Sequence, residues 1–145
     1  RRGSDVEFGQ SIYEPFGIAQ LEPLTFGGIC VITNVCGCAG FHRDTTSGVP
    51  VKNAIIADYT DLGTSFYENL SEILTINREV RDKIEACESQ KIAMQLCSRL
   101  PKNDEEVEEL LKTGYKLASK MSWDIVVQHY ILPGLHSILE KLEVV

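Results

Sequence analysis

The stretch Ile29-Cys30-Val31-Ile32-Thr33 is a continuous apolar run that is rich in β-branched side chains. Such a run is typical of a strand that is covered on both faces in a parallel sheet. A second run of this kind, Ala54-Ile55-Ile56-Ala57-Asp58, follows it, and a shorter strand signal, Asp5-Val6-Glu7-Phe8, precedes it. Short connections between these strands imply right-handed crossovers. The sequence therefore predicts an α/β fold with about three parallel strands.

The two connections between these strands have different compositions. A loop over residues 9–16 leads into a predicted short helix from about Gly17 to Phe26, where apolar residues recur near helical spacing. Pro23 lies inside this helix and should bend or shorten it. The stretch from Cys36 to Pro50 is rich in Gly, Thr and Ser, and we expect it to form a long exposed loop.

The second half of the chain is predicted to be helical. Helices are expected from Thr64 or Ser65 to about Thr75, from Arg78 to about Leu100, from the N-cap Asn103 to about Lys120, and from the N-cap Ser122 to about Lys141, with a kink or break at Pro133-Gly134. The expected buried residues of the last two helices are Val107, Leu110, Leu111 and Ala118, and then Trp123, Ile125, Val126, Tyr130 and Leu132. The fold class is thus a partial Rossmann-like three-layer α/β part, over about residues 5–62, followed by a helical tail over about 63–145.

Composition limits the classes of function. The 145 residues fit one compact domain, and 43% of them are hydrophobic. A net charge of −7 argues against a nucleic-acid partner, because phosphate-backbone binders are usually basic. The longest apolar run is well short of the roughly 18–20 residues of a membrane-spanning helix, so no membrane span is expected.

Five cysteines and the start of the chain bear on location and on metal binding. No export signal opens the sequence, so we expect reduced thiols and a cytoplasmic location. Cys36-Gly37-Cys38, with Cys87 and Cys97 as further ligands, suggests a metal site, but paired Cys-x2-Cys knuckles are absent. We therefore expect no metal site, and we expect Cys30 to be a small core residue.

The stretch from Ser11 to Glu22 carries the candidate site. Its two carboxylates, Glu14 and Glu22, lie eight positions apart across an aromatic-glycine turn that follows the first strand. In open α/β sheets, ligands bind beyond the carboxyl ends of the strands. Backbone amides near Phe16, Gly17 and Ile18 would suit a phosphate or a sugar hydroxyl. A carboxylate at Glu22 would suit a ribose, and the alternative is that both glutamates are ordinary surface residues.

These residues resemble a known family of enzymes. Glu14 to Glu22 is similar to the Glu-x7-Glu motif of retaining glycosyltransferases with two Rossmann domains (GT-B), of the glycogen synthase and sucrose synthase type. The resemblance extends over Ser11-x-Tyr13-Glu14-Pro15-Phe16-Gly17 and Gln20-Leu21-Glu22. Gly27-Gly28, the apolar strand and a Gly-containing loop at residues 37–40 follow in the family's order, and Met121-Ser122-Trp123 resembles its closing segment.

The resemblance implies a role for each matching residue. Glu14 would contact the transferred sugar, amides near Phe16, Gly17 and Ile18 would contact sugar hydroxyls or the diphosphate, and Glu22 would hold the ribose. The donor would be a nucleotide-diphosphate sugar. Its sugar would be transferred with retention of the anomeric configuration, and the reaction would need no metal or other cofactor. Residues 1–145 would be the C-terminal portion of the nucleotide-sugar-binding domain. The first half of this domain would supply the basic groups for the diphosphate, and a missing N-terminal domain of the same protein would supply the acceptor site, so the isolated chain should be inactive.

A second hypothesis is a non-catalytic glycosyltransferase-like module that self-associates, for example as a homodimer that completes the sheet edge. The nearest residues with basic or imidazole side chains, Arg43 and His42, are interpreted as ordinary loop residues rather than as a phosphate ligand and a catalytic base. His129 and His136 are interpreted as surface or core-edge residues, since a spacing of seven on a helix is too wide for one metal.

Overall fold

The computed structural model describes residues 4–11, 14–60, 71 and 74–142. In chain order its elements are β1 (Val6–Gly9), α1 (Ile18–Leu21), a 3₁₀ turn (Glu22–Phe26), β2 (Ile29–Thr33), α2 (Gly37–Thr46), β3 (Ala54–Ala57), α3 (Arg78–Arg99), α4 (Asp104–Ala118), a second 3₁₀ turn (Ser119–Met121), α5 (Trp123–Val126), a π turn (Val127–Ile131) and α6 (Leu132–Leu142). The helix predicted to begin at Thr64 or Ser65 lies largely outside the described residues.

The strands form a parallel sheet in the order β1-β2-β3. Val6 lies opposite Ile29, and Cys30 lies opposite Ala54. The central strand β2 is buried along its whole length, because its alternate residues enter two separate cores. The predicted three parallel strands, the partial Rossmann-like fold class and the helical C-terminal region are confirmed.

Each face of the sheet is covered by its own set of helices. Cys30 and Ile32 point into a core that also contains Leu21 and Leu24 from α1 and the 3₁₀ turn, and Leu117 from α4. On the opposite face, Ile29 and Val31 of β2 pack with Ile55 and Ala57 of β3 and with Ile92 of α3. This arrangement explains the uninterrupted apolar run of β2, and Cys30 is a core residue as predicted.

Helix α4 packs closely against the first 3₁₀ turn. Gly114 makes the approach possible, because a Cβ at this position would collide with the carbonyl oxygen of Leu24. The fully buried Asn53 side chain bridges the same region, since its Nδ2 donates to Gly28 O at 3.3 Å and to Leu110 O at 3.0 Å. The C-terminal helical part is therefore joined to the sheet through a shared core.

The exposed loop predicted from Cys36 to Pro50 is wrong over most of its length, because Gly37–Thr46 is the helix α2. The Gly and Thr content lowers helix propensity, but the burial of Cys38 and His42, four positions apart, compensates for it. The loop assignments of His42 and Arg43 are wrong for the same reason, since both lie on α2.

The helix predicted from Gly17 to Phe26 is shortened, as Pro23 suggested. Regular α-helix ends after one turn at Leu21, and Pro23 lies in the first turn of the following 3₁₀ segment, where its missing N–H does least harm. Gly27 ends that segment with φ at 79°. Glu22, the second predicted carboxylate, is therefore on the 3₁₀ turn rather than inside a continuous helix.

The C-terminal helices confirm the predicted caps but not the predicted packing. Asn103 accepts from Glu106 N at 2.9 Å, and Ser122 accepts from Ile125 N at 3.5 Å. Leu110 is buried with Gly114 and Leu117, whereas Val107 and Leu111 are exposed. The prediction that Trp123, Tyr130 and Leu132 pack in the core is wrong, because all three side chains are exposed to solvent.

The last helix also continues across Pro133-Gly134 without a break. The π turn precedes Pro133, and at its C-terminal end the Leu132 N–H donates to Val127 O, five residues back. His129 and His136 are exposed, as the surface interpretation predicted. Within the ranges described, no helix combines the length and the apolar character that crossing a bilayer requires.

Candidate functional site

The predicted site loop leaves the carboxyl end of β1 and is fixed to neighbouring elements at both of its ends. Thr33 Oγ1, at the end of β2, donates to Ser11 O at 2.8 Å. Gly37 N, at the start of α2, donates to Glu14 O at 3.1 Å. Residues 12 and 13 of this loop lie outside the described residues. The loop is thus held at the carboxyl edge of the sheet, where α/β folds place their ligands.

A groove of about 620 Å³ opens beside this loop. It is lined by Glu7–Ser11, by Glu14 and by Gly17–Gln20. Its volume falls in the range of small-molecule sites, which is about 300–1,000 Å³. The carboxylates of Glu7 and Glu14 give the groove hydrogen-bond acceptors that suit hydroxyl groups.

The structure brings together three of the five predicted site residues in this groove: Glu14, Gly17 and Ile18. Phe16 turns away from it and contacts Phe41, with ring centroids 6.0 Å apart in an edge-to-face arrangement. Glu22 is exposed on the 3₁₀ turn and lines neither this groove nor the second cavity described below.

Gly17 fits its position because of both backbone conformation and space. Its φ of 85° is in the left-handed region, which L-residues with a side chain rarely adopt. A Cβ here would lie 3.0 Å from Cys36 Sγ, from Gln20 Cδ and from Glu14 Cγ. The close packing around Gly17 therefore joins the site loop to α1 and α2.

Three backbone amides of the loop have no acceptor in the part of the chain that the structure describes. Among the described residues, none accepts a hydrogen bond from the N–H groups of Phe16, Gly17 or Ile18. Because α1 is a single turn, these groups act as individual donors rather than through a long helix dipole. They are the kind of donor that binds phosphate and hydroxyl oxygens.

A second cavity, of about 550 Å³, lies between α2 and the C-terminal helices. Its lining is mainly aromatic and apolar and includes Phe16, Phe41, Trp123 and Tyr130, with Asp44 and Lys120 as its charged groups. It meets the first groove at Ile18, which lines both. Arg43 and His42 line neither of the two cavities.

Sequence reasoning missed the buried polar cluster beneath the loop. Gln20 Nε2 donates to Ser11 Oγ at 2.8 Å, and Gln20 Oε1 lies within hydrogen-bond distance of two thiols, 3.1 Å from Cys36 Sγ and 3.3 Å from Cys38 Sγ. Burial, with the neighbouring Cys36 adding to the effect, raises the pKa of Cys38 far above that of a free thiol. Two sequence features could have predicted this cluster: the amide of Gln20 inside the otherwise apolar sequence of α1, and the Cys-x-Cys spacing of Cys36 and Cys38.

The thiols also bear on the metal hypothesis. Cys87 and Cys97 are exposed on α3, whereas Cys36 and Cys38 are buried in the core on the opposite face of the sheet. The described residues contain no group of three or more His, Cys, Asp or Glu side chains that could hold a metal ion. The pair instead forms hydrogen bonds with Gln20.

Comparison with known proteins identifies the family. The model of the family described as glycosyl transferases group 1 matches residues 2–85, which include the sheet, the site loop and the groove. No curated protein and no solved structure matches the chain at a significant level. The matched region covers more than half of the chain and agrees with the parallel sheet. This chain belongs to the group 1 glycosyltransferases.

Proposed function

We propose that this chain binds a nucleotide-diphosphate sugar and, in the full-length protein, supports transfer of the sugar with retention, as in enzymes of the glycogen synthase and sucrose synthase type. The observation that carries the proposal is the position of Glu14 in a groove at the carboxyl end of β1, within the region that matches the family. Residues 1–145 would be the C-terminal portion of the nucleotide-sugar-binding domain.

Each candidate group, in the loop or on the following 3₁₀ turn, has a distinct proposed role. The Glu14 carboxylate, as a hydrogen-bond acceptor, would bind hydroxyls of the transferred sugar. The N–H groups of Phe16, Gly17 and Ile18 would stabilise the charge that develops on the departing diphosphate, since preorganised donors act without reorganising during the reaction. Glu22 would accept hydrogen bonds from the ribose hydroxyls. These roles require no metal and no further cofactor.

The binding roles can be tested by calorimetric titration with nucleoside diphosphates and their sugar conjugates, using uridine, adenosine and guanosine forms. Glu22→Gln should weaken both types of ligand by about ten- to hundredfold, because it removes a charged hydrogen-bond acceptor from the ribose. Glu14→Gln should weaken only the sugar conjugates. The matched control is Glu140→Gln, at an exposed position on α6 that lies outside both cavities.

The titration can contradict the proposal in two ways. If Glu14→Gln and Glu22→Gln weaken the nucleoside diphosphates and the sugar conjugates equally, the separate sugar and ribose roles of the two glutamates are contradicted. Absence of binding to every nucleotide in the wild-type chain would contradict the donor site itself.

The acceptor side is proposed to come from an N-terminal domain of the same protein. The isolated chain should then transfer no labelled sugar from the donor, whereas the full-length protein should transfer it, also in the presence of a chelator. Turnover by the isolated chain would contradict this division. A cytoplasmic location belongs to the same proposal.

The alternative function is a non-catalytic module that self-associates. The exposed apolar side chains of α6 are the feature that would serve it, since large apolar patches mark interaction surfaces. Nucleotide binding that depends on Glu14 and Glu22 would decide against this alternative.

A further inference from the structure

We propose that Gln20, acting with the Cys36 and Cys38 thiols, is a positioning residue that holds the site loop in its ligand-binding conformation. The importance of this loop for donor binding rests on the function proposed above. The role of Gln20 in holding the loop rests on contacts alone. We refer to Gln20, Cys36, Cys38 and Ser11 as the thiol–amide network.

The network contacts the loop at two points on either side of residues 12 and 13. Gln20 Nε2 donates to Ser11 Oγ at 2.8 Å on the β1 side. On the α1 side, Cys36 Sγ lies 3.2 Å from the carbonyl oxygen of Phe16, to which it can donate. A side chain of α1 and a side chain that precedes α2 thereby fix the two ends of one loop.

Counting protons gives a single arrangement that satisfies both oxygen acceptors. Each thiol carries one proton, and Cys36 Sγ has Phe16 O, Gln20 Oε1 and Cys38 Sγ within reach. If Cys36 donates to Phe16 O and Cys38 donates to Gln20 Oε1, both oxygens receive a proton. The burial that keeps Cys38 in its thiol form supports this arrangement.

The network is coupled to the groove through Gly17 and Gly37. The Gln20 side chain and Cys36 Sγ both lie 3.0 Å from the position of a Cβ on Gly17, as does Glu14 Cγ. Gly37, between the two cysteines, donates to Glu14 O at 3.1 Å, and a Cβ on Gly37 would collide with Pro15 O. A change in the network therefore displaces Glu14 and the amides beside it.

The buried polar atoms of the network distinguish this role from simple core filling. Gln20 is 8% exposed, and Cys36 and Cys38 are 3% and 0% exposed. A leucine would fill the Gln20 site without any need for a partner, whereas a buried amide is costly unless its partners are in place. Such a satisfied network favours one conformation over its competitors.

Amide hydrogen exchange of the folded chain tests the positioning role directly. Gln20→Leu should speed exchange of the Gly37 N–H by roughly five- to thirtyfold, as expected when one or two hydrogen bonds that hold a local structure are lost. Amides of β2 should keep their wild-type rates, because the change is local. Gln128→Leu makes the same chemical change at an exposed position of the π turn and should leave both sets of rates unchanged.

The cysteines provide a second variant and a rescue. Cys36→Ala removes the donor to Phe16 O and should speed Gly37 exchange, whereas Cys36→Ser restores a donor and should return the rate most of the way. Exposed Cys97→Ser is the control. Wild-type Gly37 exchange in both Gln20→Leu and Cys36→Ala would overturn the positioning role.

Titration with uridine and adenosine diphosphate separates this inference from the proposed function. Binding weakened in Gln20→Leu by about the same factor as the change in Gly37 exchange would support the link to the donor. Faster exchange with unchanged nucleotide binding would overturn that link. If the wild-type chain binds neither nucleotide, the proposed function fails with the donor link, while the exchange rates still decide whether Gln20 holds the loop.

Discussion

Single residues set the geometry of the groove, and Gly17 is constrained in both backbone conformation and space. Its left-handed φ lets the chain turn from the Glu14 loop into α1, and the space for a side chain is already occupied by Cys36, Gln20 and Glu14. The aromatic-glycine turn could be predicted from the sequence as part of the site. The reason for the glycine could not, because it depends on Cys36, which is distant in the chain.

Gly17→Ala should lower the free energy of unfolding by about 1–3 kcal/mol, because the side chain adds left-handed strain and contacts near 3.0 Å. Gly40→Ala is the matched control, since Gly40 lies inside α2 and a Cβ there meets nothing within 4 Å. That control should gain roughly 0.5–1 kcal/mol from helix propensity. Urea unfolding measures both, and equal effects of the two substitutions would contradict the constraint.

His42 gives the molecule a predictable pH dependence. Burial lowers the pKa of His42 below its usual value, the charge of Arg99 adds to the effect, and Nε2 has no hydrogen-bond partner among the described residues. The unfolded state therefore binds a proton more readily than the folded state. As pH falls below about 6.5, protonation favours unfolding, with a slope of at most about 1.4 kcal/mol per pH unit.

Urea unfolding at about pH 7.5 and pH 5.5 measures this slope, since the two values lie on either side of the free histidine pKa. His42→Gln should flatten the dependence, because the titrating group is removed. His136→Gln should leave it unchanged, because that side chain is exposed on α6. An unchanged slope in His42→Gln would show that another group is responsible.

At the scale of elements, the strands were predictable and α2 was not. Apolar runs such as Ile29–Thr33 mark buried strands by themselves, because a parallel strand covered on both faces needs little beyond its own sequence. Helix α2 has weak local propensity and depends on the burial of Cys38 and His42 against distant residues. The prediction for the C-terminal helix failed for the opposite reason. Its apolar residues predicted core packing, but nothing in the described chain covers Trp123 or Tyr130.

Packing of α4 on the 3₁₀ turn depends on the missing side chain of Gly114. Gly114→Ala should cost about 1–3 kcal/mol despite the gain in helix propensity, because its Cβ would collide with Leu24 O and approach Asn53 Nδ2 to 3.1 Å. Gly134→Ala, on α6 with nothing within 4 Å, should instead be neutral or stabilising by up to roughly 1 kcal/mol. Thermal and urea unfolding compare the two, and a neutral Gly114→Ala would contradict this close contact.

At the scale of the whole molecule, buried and exposed apolar surface are distributed unevenly. The sheet and the helices α1 to α4 share two cores, whereas α6 exposes Leu135, Ile138, Leu139 and Leu142. Apolar side chains that lie together on one helix contribute little to the stability of the chain that exposes them. They form the surface that the self-associating alternative would use.

The pair Leu135→Gln and Leu139→Gln tests this division of roles. The two side chains are 51% and 56% exposed, so their joint replacement should change the free energy of unfolding by less than about 1 kcal/mol. The buried Leu110→Gln, on α4, should cost about 2–5 kcal/mol by comparison. Sedimentation tests the self-associating alternative: under that hypothesis the wild-type chain gains mass with concentration, and the double variant stays monomeric because the apolar face is lost. If the double variant associates as strongly as the wild type, the contact lies elsewhere, and the outer strands of the sheet, β1 and β3, become the surfaces to change next.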